Sequence, residues 1–273
     1  MRKLSFLLIA SVLLVLAGCM PSTNGIMQVS TIDALLAGVY EGHMSLQTLR
    51  QYGDFGLGTF EALDGEMLLL DGTFYKVRAD GTVLTPPLTE ETPFAAVTYF
   101  VPTHTELIQG QMDMAALESR IDTIVPAANH PVAFRLHGTF SKVVTRSVPA
   151  QEEPYPPLAE VTKNQSIFDL TDVTGTLMGF RLPQFVQGVN VPGYHLHFLT
   201  DDREDGGHVL EAEVTAGQLE LAGLNNWLHI YFPMDSAAFG RADLTQDRSQ
   251  ELEQVETQAQ GDMGGGQEAG DGK

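Results

Sequence analysis

Residues 64–81 read Asp64-Gly65-Glu66-Met67-Leu68-Leu69-Leu70-Asp71-Gly72-Thr73-Phe74-Tyr75-Lys76-Val77-Arg78-Ala79-Asp80-Gly81. Asp-Gly recurs at 64, 71 and 80. Asp-Gly between apolar runs marks a tight hairpin, because both residues tolerate the positive φ that such turns need. The runs between them have strand length and are apolar or aromatic, so the stretch predicts a β-meander. Outward from it, strands are expected at 94–102, 105–109 and 132–146, where Val132, Phe134 and Leu136 alternate. Further strands are expected at 174–182, 194–199, 208–214, 218–221 and 227–232. Helices are fewer and short. One is expected over 31–37, capped by Ser30, with Leu35 and Leu36 turned inward. A second begins at Ser45. Met114, Leu117, Ile121, Ile124 and Val125 recur at helical spacing until Pro126. A short helix over 158–161 follows a Pro-rich loop, and the last, around 246–256, docks through Leu252 and Val255. The expected class is α+β and β-dominated, with two mixed β-sheet domains packed together, 28–170 and 171–256. Gly-Thr triplets at Gly58, Gly138 and Gly175 suggest an internal duplication.

The chain has 273 residues, 43% of them hydrophobic, which is enough to build a sizeable core. Fifteen Lys and Arg stand against 35 Asp and Glu, so a nucleic-acid partner is excluded for want of a basic surface. The single cysteine excludes an internal disulfide framework and a Cys-rich zinc module.

That cysteine sits in a telling place. Arg2 and Lys3 precede an apolar run, 4–16, too short to span a bilayer comfortably. The run ends in Leu16-Ala17-Gly18-Cys19, which resembles the lipobox of bacterial lipoproteins. The resemblance implies a signal peptide over 1–18, a lipid on Cys19, a tether over 19–27 and an exported chain held on the extracytoplasmic face of the membrane. Residues 257–273 are mostly Gly, Gln, Asp and Glu, a composition that cannot offset its ordering entropy, and are read as a disordered tail.

Residues 193–208 carry the strongest chemical signal: Gly193-Tyr194-His195-Leu196-His197-Phe198, an acidic turn, then Gly206-Gly207-His208. On a strand His195 and His197 share one face, with Cα atoms roughly 6.5–7 Å apart. A Gly-Gly turn lets the returning strand bring His208 beside them. Three histidines leave open positions on a zinc ion, as catalytic sites require. Asp201, Asp202, Glu204 and Asp205, in the intervening turn, are read as a solvated loop rather than a calcium site.

Several blocks resemble the bacterial α-acetolactate decarboxylases. They are Gln28-Val29-Ser30-Thr31 with Leu35 to Tyr40, Tyr52 to Phe60, Leu63 to Glu66, Phe134-Arg135, Thr145-Arg146, and the histidine block itself. The resemblance spans about 28–256. It implies two β-rich domains with the site between them, a zinc cofactor, dimers, and conversion of 2-acetolactate to acetoin and carbon dioxide. Residue by residue it implies zinc ligands at His195, His197 and His208, an active-site glutamate at Glu66, a substrate-facing arginine at Arg146 and a pocket threonine at Thr59. It also implies a glutamate from the C-terminal segment, for which Glu253 fits best and Glu256 is the alternative.

The expected chemistry is Lewis-acid stabilisation of an enediolate, with Arg146 orienting the carboxylate and a carboxylic acid of raised pKa returning the proton. Two other readings stay open: a non-catalytic metal-binding surface lipoprotein, and a zinc lyase for a related 2-hydroxy-3-keto acid.

Overall fold

The computed structural model describes residues 25–224 and 227–257. The expected signal peptide, Cys19, the tether up to residue 24 and the tail from 258 lie outside them. In chain order the elements are β1 (Ile26–Val29), α1 (Ile32–Leu36), β2 (Met44–Ser45), α2 (Leu46–Leu49), β3 (Phe55–Thr59), β4 (Glu66–Leu70), β5 (Thr73–Val77), β6 (Val83–Leu84), β7 (Glu91–Thr92), β8 (Ala95–Thr98), β9 (His104–Asp113) and α3 (Met114–Ile124). There follow β10 (Val132–Ser147), α4 (Leu158–Val161), β11 (Ser166–Leu182), β12 (Gly193–Thr200), β13 (Gly206–Gly223), β14 (Leu228–Tyr231), α5 (Ala237–Arg241) and α6 (Ser249–Thr257).

The meander is present as antiparallel β3-β4-β5-β6. Asp71 and Gly72 both take positive φ, 50° and 77°, as a two-residue hairpin turn demands. β8 and β1 extend this sheet, and β14 joins β1 in parallel to complete the order β14-β1-β8-β3-β4-β5-β6. The second sheet curls on itself. β10 pairs with β11 on one side and β13 on the other, and β12 bridges β11 to β13, so these strands close into a small barrel with β9 added outside β13. β2 and β7 form a separate two-stranded ribbon.

Period-2 alternation decides which side chains meet. Phe55, Leu57, Leu68 and Leu70 point from the first sheet toward the barrel, where they pack on Met178, Phe180 and Leu199. Met67, Leu69, Val29 and Val97 point the other way and are covered by α2 through Leu46 and Leu49. The barrel has its own interior of Phe134, Leu136, Phe140 and Phe198, over which α3 lays Leu117 and Ile121. A further cluster joins α1, α4 and α6 through Ile32, Leu36, Leu158, Leu252 and Val255.

The β-dominated class is as expected, but the sheets do not divide at 170/171. That position falls inside β11, and the change of sheet comes between β8 and β9, near residue 100. β14 then returns to the first sheet. Thr31, not Ser30, caps α1, accepting from the Ala34 amide at 3.2 Å, while Ser30 sits at a φ of 58°. Ser45 caps α2 as expected. The two strands expected at 208–214 and 218–221 are one strand, β13, with a register shift between Val214 and Ala216. Gly138 and Gly175 are cross-strand partners within one sheet, and Gly138 also pairs with Gly217. A side chain at Gly138 would lie 2.2 Å from the Ala216 carbonyl, so close strand approach accounts for glycine there.

Candidate active site

The site forms where the apolar layer between sheet and barrel turns polar. Along β3 the inward face runs Phe55, Leu57, Thr59; along β4 it runs Leu70, Leu68, Glu66. Thr59 and Glu66 are direct cross-strand partners at the end of this face. On the barrel side, Leu199 is followed at two-residue spacing by His197 and His195, while Leu196 and Phe198 fill the barrel interior. His208 lies directly opposite His197 on β13, and Arg146 opposite His208 on β10. Gly207 allows this approach: its φ is 131°, and a Cβ there would lie 2.6 Å from the Arg146 carbonyl.

The three imidazoles face one another, with ring centroids 5.4, 5.1 and 5.4 Å apart. One nitrogen from each lies within 4.8 Å of the others, so the triad could hold a metal ion. His197 Nδ1 donates to the Met67 carbonyl at 2.8 Å, which fixes its tautomer and leaves Nε2 as a lone pair. That Nε2 and His195 Nδ1 are buried with no hydrogen-bond partner, an arrangement that suits a metal and is costly without one. Burial, reinforced by Arg146, pushes His195 down to about 3 and His197 and His208 well below the usual histidine range, so all three are neutral. Neutral imidazole is the ligating form.

Around the triad stand two carboxyls and one guanidinium. Arg146 Nη1 donates to Glu66 Oε1 at 3.1 Å, and Glu66 Oε2 lies 3.7 Å from His197 Nε2. Glu256 Oε2 lies 3.6 Å from His208 Nε2 and 3.9 Å from His195 Nε2. Burial raises both Glu66 and Glu256 to about 7, against the opposing pull of Arg146. Arg146 Nε is buried and unpartnered, so the guanidinium keeps a donor in reserve. Thr59 lines the same cavity, its hydroxyl donating to the Gly65 carbonyl at 2.8 Å. The remaining wall is apolar, with Ile32, Leu35, Leu63, Phe94, Val148, Leu158 and Val255.

Six of the seven expected metal and catalytic residues therefore converge: Thr59, Glu66, Arg146, His195, His197 and His208. Glu253 does not. It is exposed on α6, and Glu256, the alternative, occupies the site. The reason is helical geometry. Leu252 and Val255 are buried, and Glu256 follows Leu252 by four residues, on the same face, whereas Glu253 is rotated away. The apolar wall from α1, α4 and Val148 carried no sequence signal beyond ordinary core patterning. In the acidic loop Asp201 lies 3.1 Å from His137 Nε2, and Asp202 accepts from the Thr200 hydroxyl and the Glu204 amide.

Comparison with known proteins agrees with this geometry. Residues 26–246 match the family described as alpha-acetolactate decarboxylase. The chain is 46% identical over 231 residues to the alpha-acetolactate decarboxylase of Methanosarcina mazei, covering 84% of this chain and 79% of the other. It is 40% identical over 231 residues to that of Methylococcus capsulatus, covering 85% and 88%. The crystal structure of alpha-acetolactate decarboxylase from Bacillus subtilis strain 168 superposes with a TM-score of 0.83 at 38% identity, covering 86% of this chain and all of that one. The chain belongs to the alpha-acetolactate decarboxylase family.

Proposed function

We propose that this protein is a zinc-dependent decarboxylase that converts 2-acetolactate to acetoin and carbon dioxide, exported and held at the membrane by a lipid on Cys19. The observation that carries the catalytic reading is the convergence of three neutral, buried histidines with Arg146 and two carboxyls of raised pKa. Three imidazole nitrogens suit zinc and would leave positions open for substrate oxygens. When bound, zinc supplies a Lewis acid for the negative charge that develops on those oxygens.

The protein groups perform the rest. Arg146 binds the substrate carboxylate, using the donor that Glu66 does not occupy, and orients the bond between that carbon and C2. As this bond breaks, its electron pair moves toward the neighbouring ketone and carbon dioxide leaves. C2 must then gain a proton. A carboxylic acid facing C2 can donate it, and Glu66 and Glu256 both stand at the site. The apolar wall excludes water and receives the substrate methyl groups. One added methylene alters pocket affinity only modestly, so the homologous 2-aceto-2-hydroxybutyrate is the natural second substrate to assay.

The anchor reading rests on Leu16-Ala17-Gly18-Cys19 and on Cys19 being the chain's one cysteine. Association into dimers is carried over from the family resemblance, and light scattering measures it. The deciding experiment is acetoin release from racemic acetolactate by the purified chain, with and without chelator, and after zinc is returned. Turnover lost to chelator and restored by zinc is expected. A zinc-loaded chain that releases no acetoin overturns the reading.

A further inference from the structure

A second concavity, of about 390 Å³, opens at the edge of the first sheet where β14 and β1 begin. In a chain of net charge −20 its described lining holds no Asp, Glu, Lys or Arg. Its rim is apolar and open to solvent: Phe185 is 71% exposed, Trp227 60% and Leu228 42%. Farther along the same edge, past the end of β14, Phe232 and Met234 are exposed as well. The polar groups beneath are already satisfied. Asn190 Nδ2 donates to Gln28 Oε1, and Gln28 Nε2 donates to the Ser30 and Val189 carbonyls. Asn129 and His130 are the other polar side chains of the described lining, and the rest of it is apolar or glycine.

Its position says what covers it. The Ile26 amide donates to the Trp227 carbonyl at 3.0 Å, so the rim is fastened to the first residues of β1. Cys19 precedes Gly25 by six residues, which at about 3.3–3.6 Å per residue keeps a lipid on that cysteine within about 20 Å of Gly25. Tryptophan and phenylalanine around a neutral groove fit the interfacial zone of a bilayer, where one end of a ring is apolar and the other wet. An acidic body is repelled by anionic headgroups, and a face without charged side chains lessens that repulsion.

We propose that the face around Trp227, Phe185 and Leu228 rests on the interfacial zone of the phospholipid bilayer to which the chain is tethered. The proposal rests on the anchor reading of Cys19, and it gives the anchored chain a defined orientation.

Trp227 is the chain's only tryptophan, so its fluorescence reports on this face alone. The full chain, made in a bacterial host that processes lipoproteins, is reconstituted into phosphatidylcholine vesicles with plain or brominated acyl chains. The expected result is a blue-shifted emission that falls by about half or more in brominated vesicles, as for an interfacial tryptophan. In a Phe185→Glu, Leu228→Glu variant the quenching should be largely lost while acetoin turnover is unchanged. An acylated chain whose Trp227 stays unquenched and open to aqueous iodide overturns the proposal and leaves the anchor reading intact. An unmodified Cys19 in the intact mass is instead a failure of the anchor reading, and the proposal falls with it. Emission that shifts with protein concentration in the absence of vesicles assigns the face to a second copy, and also overturns it.

Discussion

His197 Nε2 lies 3.7 Å from Glu66 Oε2, across the seam between the seven-stranded sheet and the barrel. The contact is not an ion pair in the ordinary sense. Burial keeps the imidazole neutral and raises the carboxyl to about 7. On the other side of the same ring, Nδ1 donates to the carbonyl of Met67, the residue next to Glu66. Strand β4 thus supplies both the group that orients this histidine and the carboxyl that faces it. Sheet and barrel must pack in register for either to work, which ties the chemistry to the apolar layer of Leu57, Leu68, Phe180 and Leu199 beneath.

Each imidazole supplies one of three converging nitrogens. His208→Ala is expected to lose bound metal and to lower turnover by more than the roughly 10–100-fold typical of changes behind the ligands. Metal content by plasma mass spectrometry, measured with turnover on the same sample, checks this. Full metal occupancy in the variant would remove His208 from the ligand set.

Arg146 contacts Glu66 and holds Nε unpartnered. Arg146→Met removes both the clamp and the charge, and kcat/KM should fall by about 100-fold or more, the scale set by misplacing a reacting group. Arg146→Lys keeps the charge but not the fork, so it should recover only part. Equal activity in the lysine variant and the wild type would mean that the charge alone matters.

The meander and the histidine hairpin were legible because each rests on local chemistry. Asp71-Gly72 needs positive φ, and His195 and His197 need only a strand to share a face. The pairing of β14 with β1 was not legible, since parallel partners some two hundred residues apart leave no turn between them. Ser and Thr are near-equivalent acceptors, so the sequence does not separate Ser30 from Thr31, and the start of α1 at Ile32 selects Thr31. Resemblance points to Glu253 ahead of Glu256, although the docking pair Leu252 and Val255 fixes the inward face of α6. Glu256 continues that face, so the signal was present in the spacing.

That spacing makes a direct contrast available. Glu256→Gln keeps shape but removes the carboxyl that lies 3.6 Å from His208. It should lower kcat by about 10²–10⁴-fold if Glu256 is the proton donor, the range for general acid catalysis. Glu253→Gln, exposed on the same helix, should leave kcat and KM unchanged. The two variants differ by three positions on one helix, so circular dichroism and thermal melting should match between them. A loss of activity in the Glu253 variant alone would reverse the assignment.

The raised carboxyls also make a prediction about stability in the metal-free protein. Glu66 holds its proton to about 7 when folded, against an ordinary value of 4.5 in the unfolded chain. Between those values the folded state binds more protons, so this residue costs stability as pH rises. The full shift is on the order of 3 kcal/mol. The buried histidines act oppositely. His195 titrates near 3 when folded and 6.5 when unfolded, so its contribution grows as pH rises through that window. The two trends overlap, and a wild-type profile alone would not separate them. Glu66→Gln does, because the amide mimics the protonated acid at every pH. Chelated wild type and variant should have similar stability near pH 4.5, with the variant gaining steadily up to pH 7. Urea denaturation at pH 5, 6 and 7 measures the difference directly. A difference that stays constant across that range would mean that Glu66 is already ionised in the folded protein, and the role of proton donor would pass to Glu256.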